Sequence, residues 1–400
     1  MILTTPFHER TNALNQTQLW SHWSNHLAAD RYQLSDKAEY FAVRNAAGIF
    51  DSSPLYKYRI TGRDAETFLA GVLARDIRAC APGGAQYTCW LDDRGFVIED
   101  GVILRPGKDE FLLTSAEPNF AYFADRIGRL DAHIEEVSHD VGTLALQGPR
   151  SRDLLTRLIP QVERTPYFGL ARGEIGGAPV TVSRTGYSGD LGYEIWIDTP
   201  DALHVWDTLW DSVQGYGVQP FGLAALDMLR IEAGLLLLEA DFDSSRFAWN
   251  DAHRSTPIEL GWSWMFRDLK SDDRPFIGRR ALEREIADKT TRWHMRGLVV
   301  DWQDYDRVYN EAGVIPPKDH TPVIEDWIVY DDGYRDQVGY ATSFMYSPML
   351  QRHIAIARIR PDHSTFDARV KLEFTVDHHY EQVAAHVARL PLYNPERKTA

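Results

Sequence analysis

Asp100 is the side chain in this sequence most open to chemistry. Along Phe96 to Leu104, strict alternation would place Phe96, Ile98, Asp100, Val102 and Leu104 on one strand face and turn Glu99 to the other. A lone carboxylate in an apolar row must find a partner or let its pKa rise. A raised carboxyl pKa suits proton transfer near neutrality, while a structural carboxylate paired to a distant arginine or backbone amide fits the same pattern. A bulge at the neighbouring Gly101 would break the alternation. Other reactive types are less well set. Cys89 has no nearby histidine to activate it and reads as a buried, inert thiol. His378, His379 and His386 lack both cysteine companions and the H-E-x-x-H spacing of a metal pair, so they read as surface histidines, and no metal site is expected. Gly186, Gly189 and Gly192 are spaced G-x-x-G-x-x-G before a strand, which predicts a turn and no preset pyrophosphate site; Ser188 does not fit the G-x-S-x-G nucleophile elbow.

These residues need elements to hold them. Residues 1 to 50 lean towards helix and are dotted with Trp20, Trp23, Tyr32 and Tyr40. Alternation predicts a strand at Tyr56 to Ile60, and Asp64 is expected to cap a helix running to Leu73. Gln86 to Ala116 reads as a β-hairpin broken by Asp92-Asp93-Arg94-Gly95. A helix follows with Phe120, Phe123, Ala124 and Ile127 on one side. Strands are expected at Gly142 to Gln147, Ala178 to Ser183 and Gly192 to Ile197, then helices opening at Thr199-Pro200 and spanning Gly222 to Leu236. Strands and helices mix without strict alternation, which predicts an α+β fold. A charge-dense run from Arg267 to Arg274 and an amphipathic helix near Arg279 to Ala287 place a boundary between Asp268 and Thr291. Apolar runs at 297–300, 327–330, 354–359 and 370–374 predict an all-β module after it.

The chain has 400 residues, 44% hydrophobic and 25% charged, the balance of a globular protein of two or three domains. Its net charge of −15 would repel phosphate backbones and anionic lipid, so neither nucleic acid nor membrane is an expected partner. The densest apolar stretch, Ala233 to Leu238, stops at Glu239, far short of the roughly 20 residues that span a bilayer. The amino terminus lacks the pattern of a signal peptide, and Cys80 and Cys89 are the only two cysteines, which together predict a cytoplasmic protein.

Seven blocks in order carry a resemblance. Tyr87 to Asp100 (YTCWLDDRGFVIED) resembles the Y-T-x-x-L-x-x-x-G-G-x-x-x-D stretch of the glycine-cleavage T-protein (aminomethyltransferase) superfamily. Glu39 to Ser52 (EYFAVRNAAGIFDS), Leu144 to Arg150 (LALQGPR), Arg184 to Ile195 (RTGYSGDLGYEI) and Leu229 to Gly234 (LRIEAG) are similar to further family blocks, as are Phe276 to Leu282 and Val338 to Pro348. The resemblance implies a tetrahydrofolate-binding fold. Residues 1–275 would form two interleaved α+β subdomains, the second about 55–140, and residues 285–395 a C-terminal β-barrel. It also implies Asp100 as the catalytic carboxylate beside the folate nitrogens, Glu194 as the group that holds the pterin edge, and Tyr87 and Arg230 as further cofactor-binding residues. A carboxylate presents two acceptors to a pterin ring N–H and amine, which suits Glu194.

Two departures bear on the substrate. Where T-proteins read A-R-D-S-L-R, this chain reads Ala225-Leu226-Asp227-Met228-Leu229-Arg230, and Trp90 stands where an aliphatic or polar residue is usual. With Leu226 and Trp90 lining the substrate pocket, an apolar or cationic donor is favoured over a lipoyl-linked aminomethyl group. The expectation is therefore a folate-dependent demethylase that moves a methyl group from a small O-, S- or N-methyl donor to tetrahydrofolate. The alternatives are an aminomethyltransferase partnered by a lipoyl carrier protein and a non-catalytic folate-binding accessory protein.

Overall fold

The computed structural model describes residues 2–266, 269 and 273–400. Three β-structures organise the chain. A six-stranded sheet runs Leu170–Ile175, Ala178–Ser183, Gly192–Asp198, Val141–Gln147, Ala47–Asp51, Val218–Pro220, antiparallel except for its last pair. A five-stranded sheet runs Gly84–Leu91, Val97–Arg105, Glu110–Ser115, Tyr56–Thr61, His133–Glu136. All five strands of the second sheet fall between Ala47–Asp51 and Val141–Gln147, which are themselves hydrogen-bonded neighbours in the first. The third structure is a closed barrel of six strands between His294 and Ala388, and the fold is α+β as expected.

Helical periodicity covers the sheets. In Ala202–Val213, Val205, Trp206, Leu209 and Val213 lie on the buried side and pack with Leu144, Ile195 and Ile197 of the six-stranded sheet. Helix Leu223–Glu232 buries Met228, Leu229 and Ile231 in a cluster with Tyr40 and Val43 of helix Asp36–Asn45. It ends short of the expected Leu236 because Gly234 turns left-handed at φ 61°, where an added Cβ would meet the Leu390 side chain at 2.8 Å.

Several local expectations are corrected. The first 50 residues are not mainly helical: Leu19–Trp23 and His26–Arg31 form a hairpin. Asp64 stands at the amino end of helix Ala65–Val72, but its carboxylate accepts from the backbone N–H of Asp131 at 2.9 Å and gives the helix no side-chain cap. The region read as one hairpin, Gln86 to Ala116, holds three strands. Of the charge-dense run, Arg267, Asp268, Lys270 and Asp272 lie outside the described residues. No helix among the described residues is long and apolar enough to cross a membrane.

Candidate active site

Asp100 lies opposite Cys89 in the five-stranded sheet. The register runs unbroken through Gly101, so the bulge considered there is absent. It slips instead at Trp90 and Leu91, which pair with Glu99 and Val97 and leave Ile98 as the extra residue. The row predicted by strict alternation therefore breaks at Ile98, which packs with Trp90, Phe111 and Phe123. Gly101 answers to close approach: a Cβ there would fall 2.0 Å from the Thr114 carbonyl oxygen.

On the Asp100 side, the Tyr87 hydroxyl donates to Asp100 Oδ2 at 2.7 Å. Trp262 meets the Tyr87 ring edge-on at 5.7 Å and Trp264 stacks on it at 6.3 Å. Both aromatic residues escaped the sequence reading; only their residue type marked them, because the segment carries no regular period. Burial pushes the Asp100 carboxyl up to about 6, with the Tyr87 hydrogen bond pulling the other way. Burial and the Asp100 charge hold the Tyr87 phenol well above its usual value. Asp100 is nonetheless only partly covered. It combines a perturbed carboxyl with access, the combination that a proton-handling group requires.

Glu194 projects from Gly192–Asp198, between Ser183 and Ala145 on the flanking strands. Thr185 Oγ1 donates to Glu194 Oε2, while Oε1 has no hydrogen-bond partner among the described residues. The loop from Arg184 to Leu191 reaches Glu194 through Thr185. Thr185 serves Glu194, and Tyr187, two residues on, lies within electrostatic reach of Asp100, Asp227 and Arg230. The Tyr187 hydroxyl is fixed by donation to the Leu236 carbonyl at 2.6 Å.

One site expectation is overturned. Trp90 was placed in the substrate pocket, yet it is 0% exposed, on the sheet face away from Tyr87. Its indole packs 5.2 Å from the Phe123 ring centroid and donates to Asn119 Oδ1 at 3.0 Å, and Asn119 in turn donates to Glu99. Arg230 was expected to touch the cofactor. It is also 0% exposed and is engaged by Asp241 at 2.6 Å and Asp227 at 3.2 Å, while its Nη2 has no hydrogen-bond partner among the described residues. Leu226 remains half-buried beside the cluster that Tyr87 packs against. The sequence reading missed Asp227, a partly exposed carboxylate whose pKa burial raises against the pull of Arg230. Its position directly after Leu226 was the available signal. Cys89 is fully buried with Sγ 3.8 Å from Met265 Sδ, and burial pushes its thiol pKa well up, which leaves it inert.

Comparison with known proteins assigns the class. Residues 7–267 match the GCVT N-terminal domain, and residues 312–394 match the glycine cleavage T-protein C-terminal barrel domain. The chain belongs to the glycine-cleavage T-protein (aminomethyltransferase) family. Its relatives span several reactions. It is 32% identical to the trimethylamine-oxide aldolase of Ruegeria pomeroyi over 90% of its own length, but it spans only 43% of that protein. It is 31% identical to the aminomethyltransferase of Saccharopolyspora erythraea over 97% of both chains. It is 30% identical to the heme-dependent oxidative N-demethylase gamma subunit of Ectopseudomonas mendocina, covering 91% of this chain and 89% of that one. In fold it is similar to the glycine cleavage system aminomethyltransferase T of Bartonella henselae, with a TM-score of 0.81 at 21% identity over 98% and 99% of the two chains.

Proposed function

We propose that this protein is a tetrahydrofolate-dependent demethylase that passes a methyl group from a small O-, S- or N-methyl donor to folate. The observation that carries the reading is Asp100: a partly exposed carboxyl held near pH 6 by its surroundings, oriented by Tyr87 under an aromatic wall. The residues present fit a reduced pterin, since Glu194 keeps one oxygen free of any hydrogen-bond partner among the described residues and Tyr87 and Trp264 offer flat apolar faces. Bound there, tetrahydrofolate supplies N5 as acceptor of the one-carbon unit. Glu194 would accept the pterin edge N–H and amine. Ionised Asp100 would take the proton that N5 loses on methylation, and Tyr87 would keep its Oδ2 aimed. Leu226 and the neighbouring rings would receive the donor. Holding the donor carbon in line with the acceptor nitrogen can supply several kcal/mol, so catalysis would rest mainly on position.

Leucine at position 226 and the relatives whose names speak of trimethylamine oxide and of N-demethylation support a methylated nitrogen donor within that class. A second reading, aminomethyl transfer from a lipoyl carrier protein, is favoured by the full-length similarity to an aminomethyltransferase. Product mass separates them. Incubation with tetrahydrofolate and a panel of methylated amines, sulfonium compounds and methoxyaromatics should give 5-methyl-tetrahydrofolate. Formation of 5,10-methylene-tetrahydrofolate and ammonia from an aminomethylated carrier protein, with every small donor inert, would replace the demethylase reading with the second.

A further inference from the structure

Arg75 adjoins the aromatic wall of the site, and the mechanism above does not use it. Its guanidinium lies over the Trp264 ring, with Cζ 5.1 Å from the centroid, and its Nη1 donates to the Tyr87 carbonyl at 3.3 Å. The Arg75 backbone N–H donates to Thr88 Oγ1 at 3.3 Å, one residue along the strand from Tyr87, which fixes where the side chain starts. These contacts engage little of the group. A guanidinium carries five N–H donors in a planar fork, and the Tyr87 carbonyl is the side chain's only hydrogen-bond acceptor among the described residues. No carboxylate among those residues lies within ion-pair distance of it. The side chain is partly exposed, and its partial burial disfavours the charge with no carboxylate to offset the cost. Other cations near the site are differently placed. Arg230 is fully buried and paired to Asp241 and Asp227, Lys57 is fully buried with Nζ on the Ser53 and Leu55 carbonyls, and position 226 is leucine.

We infer that Arg75 anchors a carboxylate of the tetrahydrofolate tail. The inference rests on the folate reading of the site and adds to it the group that holds the far end of the cofactor. Tyr87 sets the scale. Arg75 sits at its main-chain end and Asp100 at its hydroxyl end, a full tyrosine side chain apart, with the Trp264 ring stacked alongside at 6.3 Å. A small methyl donor reacting beside Asp100 is too short to cover that span. Tetrahydrofolate carries an aminobenzoyl ring and then a glutamate beyond its pterin, which is long enough, and the glutamate supplies carboxylates of the shape that a guanidinium fork pairs with.

The test is anaerobic calorimetry of tetrahydrofolate and of 6-methyltetrahydropterin, which has the ring and no tail, with the wild type, Arg75→Met and Arg75→Lys. Arg75→Met should bind tetrahydrofolate roughly tenfold more weakly, the loss expected for a charge-assisted hydrogen bond, and should bind the tail-free pterin as well as the wild type does. Arg75→Lys keeps the charge without the fork and should fall between the two. Raising salt from about 50 to about 500 mM should weaken tetrahydrofolate binding by the wild type more than by Arg75→Met, because a partly exposed pair is open to screening. An equal loss for both ligands in Arg75→Met would make the residue a clamp on Trp264 and Tyr87, and no loss for either would free it from the cofactor. Each of these results overturns the inference while the folate reading stands. No binding of tetrahydrofolate by the wild type would remove the folate reading, and the inference with it.

Discussion

Asp100 accepts a stability cost in return for a usable pKa. Its carboxyl sits at about 6 in the folded chain against 3.8 for the free side chain, so ionising it works against folding. For an acid whose pKa is raised by folding, the penalty is absent below about pH 4, grows between about 4 and 6, and is complete above that. Asp100→Asn should therefore melt roughly 2 °C above the wild type at pH 8, with the gain vanishing near pH 4. The same substitution should abolish turnover while leaving folate affinity within roughly tenfold. Normal turnover in Asp100→Asn would remove the residue from catalysis. In the wild type, kcat/KM should climb tenfold per pH unit below about 6 and level off above it, because the ionised form is the working one. A profile that falls through that range would make Asp100 an acid instead. At this scale a motif and an isolated carboxylate singled out Asp100 and Glu194 as candidates. The sequence was silent where meaning depended on partners far along the chain. The Asp241 that occupies Arg230 and the Asn119 that occupies Trp90 are invisible to any local pattern.

The strands show why Trp90 lies outside the pocket: alternation along Gly84–Leu91 sets it, three residues on from Tyr87, on the opposite face. Alternation is a reliable guide until a residue is inserted, and the extra Ile98, between the turn and Asp100, is what breaks the row expected along Phe96 to Leu104. From Tyr56 onward periodicity and turn residues marked several strands and helices, but not the third strand within Gln86 to Ala116 or the strands His133–Glu136 and Leu170–Ile175. The amino-terminal hairpin went unmarked as well, because Trp20 and Trp23, three apart, mimic a helical stripe. The corrective signal was Ser24-Asn25, both at positive φ in the turn. Since Trp90 holds Asn119 from within the core, Trp90→Phe should cost about 1–2 kcal/mol in urea unfolding while leaving the KM for the methyl donor unchanged. A shift in donor KM without loss of stability would return Trp90 to the pocket.

Across the whole molecule, Asp241 ties the barrel to the site. Its carboxylate receives Arg230 Nη1 and the Leu237 N–H on one oxygen, and the Thr342 and Ser343 hydroxyls of the barrel on the other. Arg358, from a second barrel strand, donates to its backbone carbonyl at 2.6 Å. Asp241→Asn would leave the buried Arg230 charge short of a counter-ion and should lower stability by about 3–5 kcal/mol, measured by denaturant unfolding. A loss under about 1 kcal/mol would show that the barrel is held mainly by apolar contact. The five-stranded sheet enters and leaves the chain between two adjacent strands of the six-stranded one, with the Val137 N–H donating to the Lys57 carbonyl at 2.8 Å where the two ends meet. Asp100 travels with the insertion, and Glu194 stays with the frame. On the proposed reading, proton handling and ring recognition would sit on separable cassettes, and grafting residues 56–136 from one relative into another would exchange the chemistry while leaving the recognition of the ring in place.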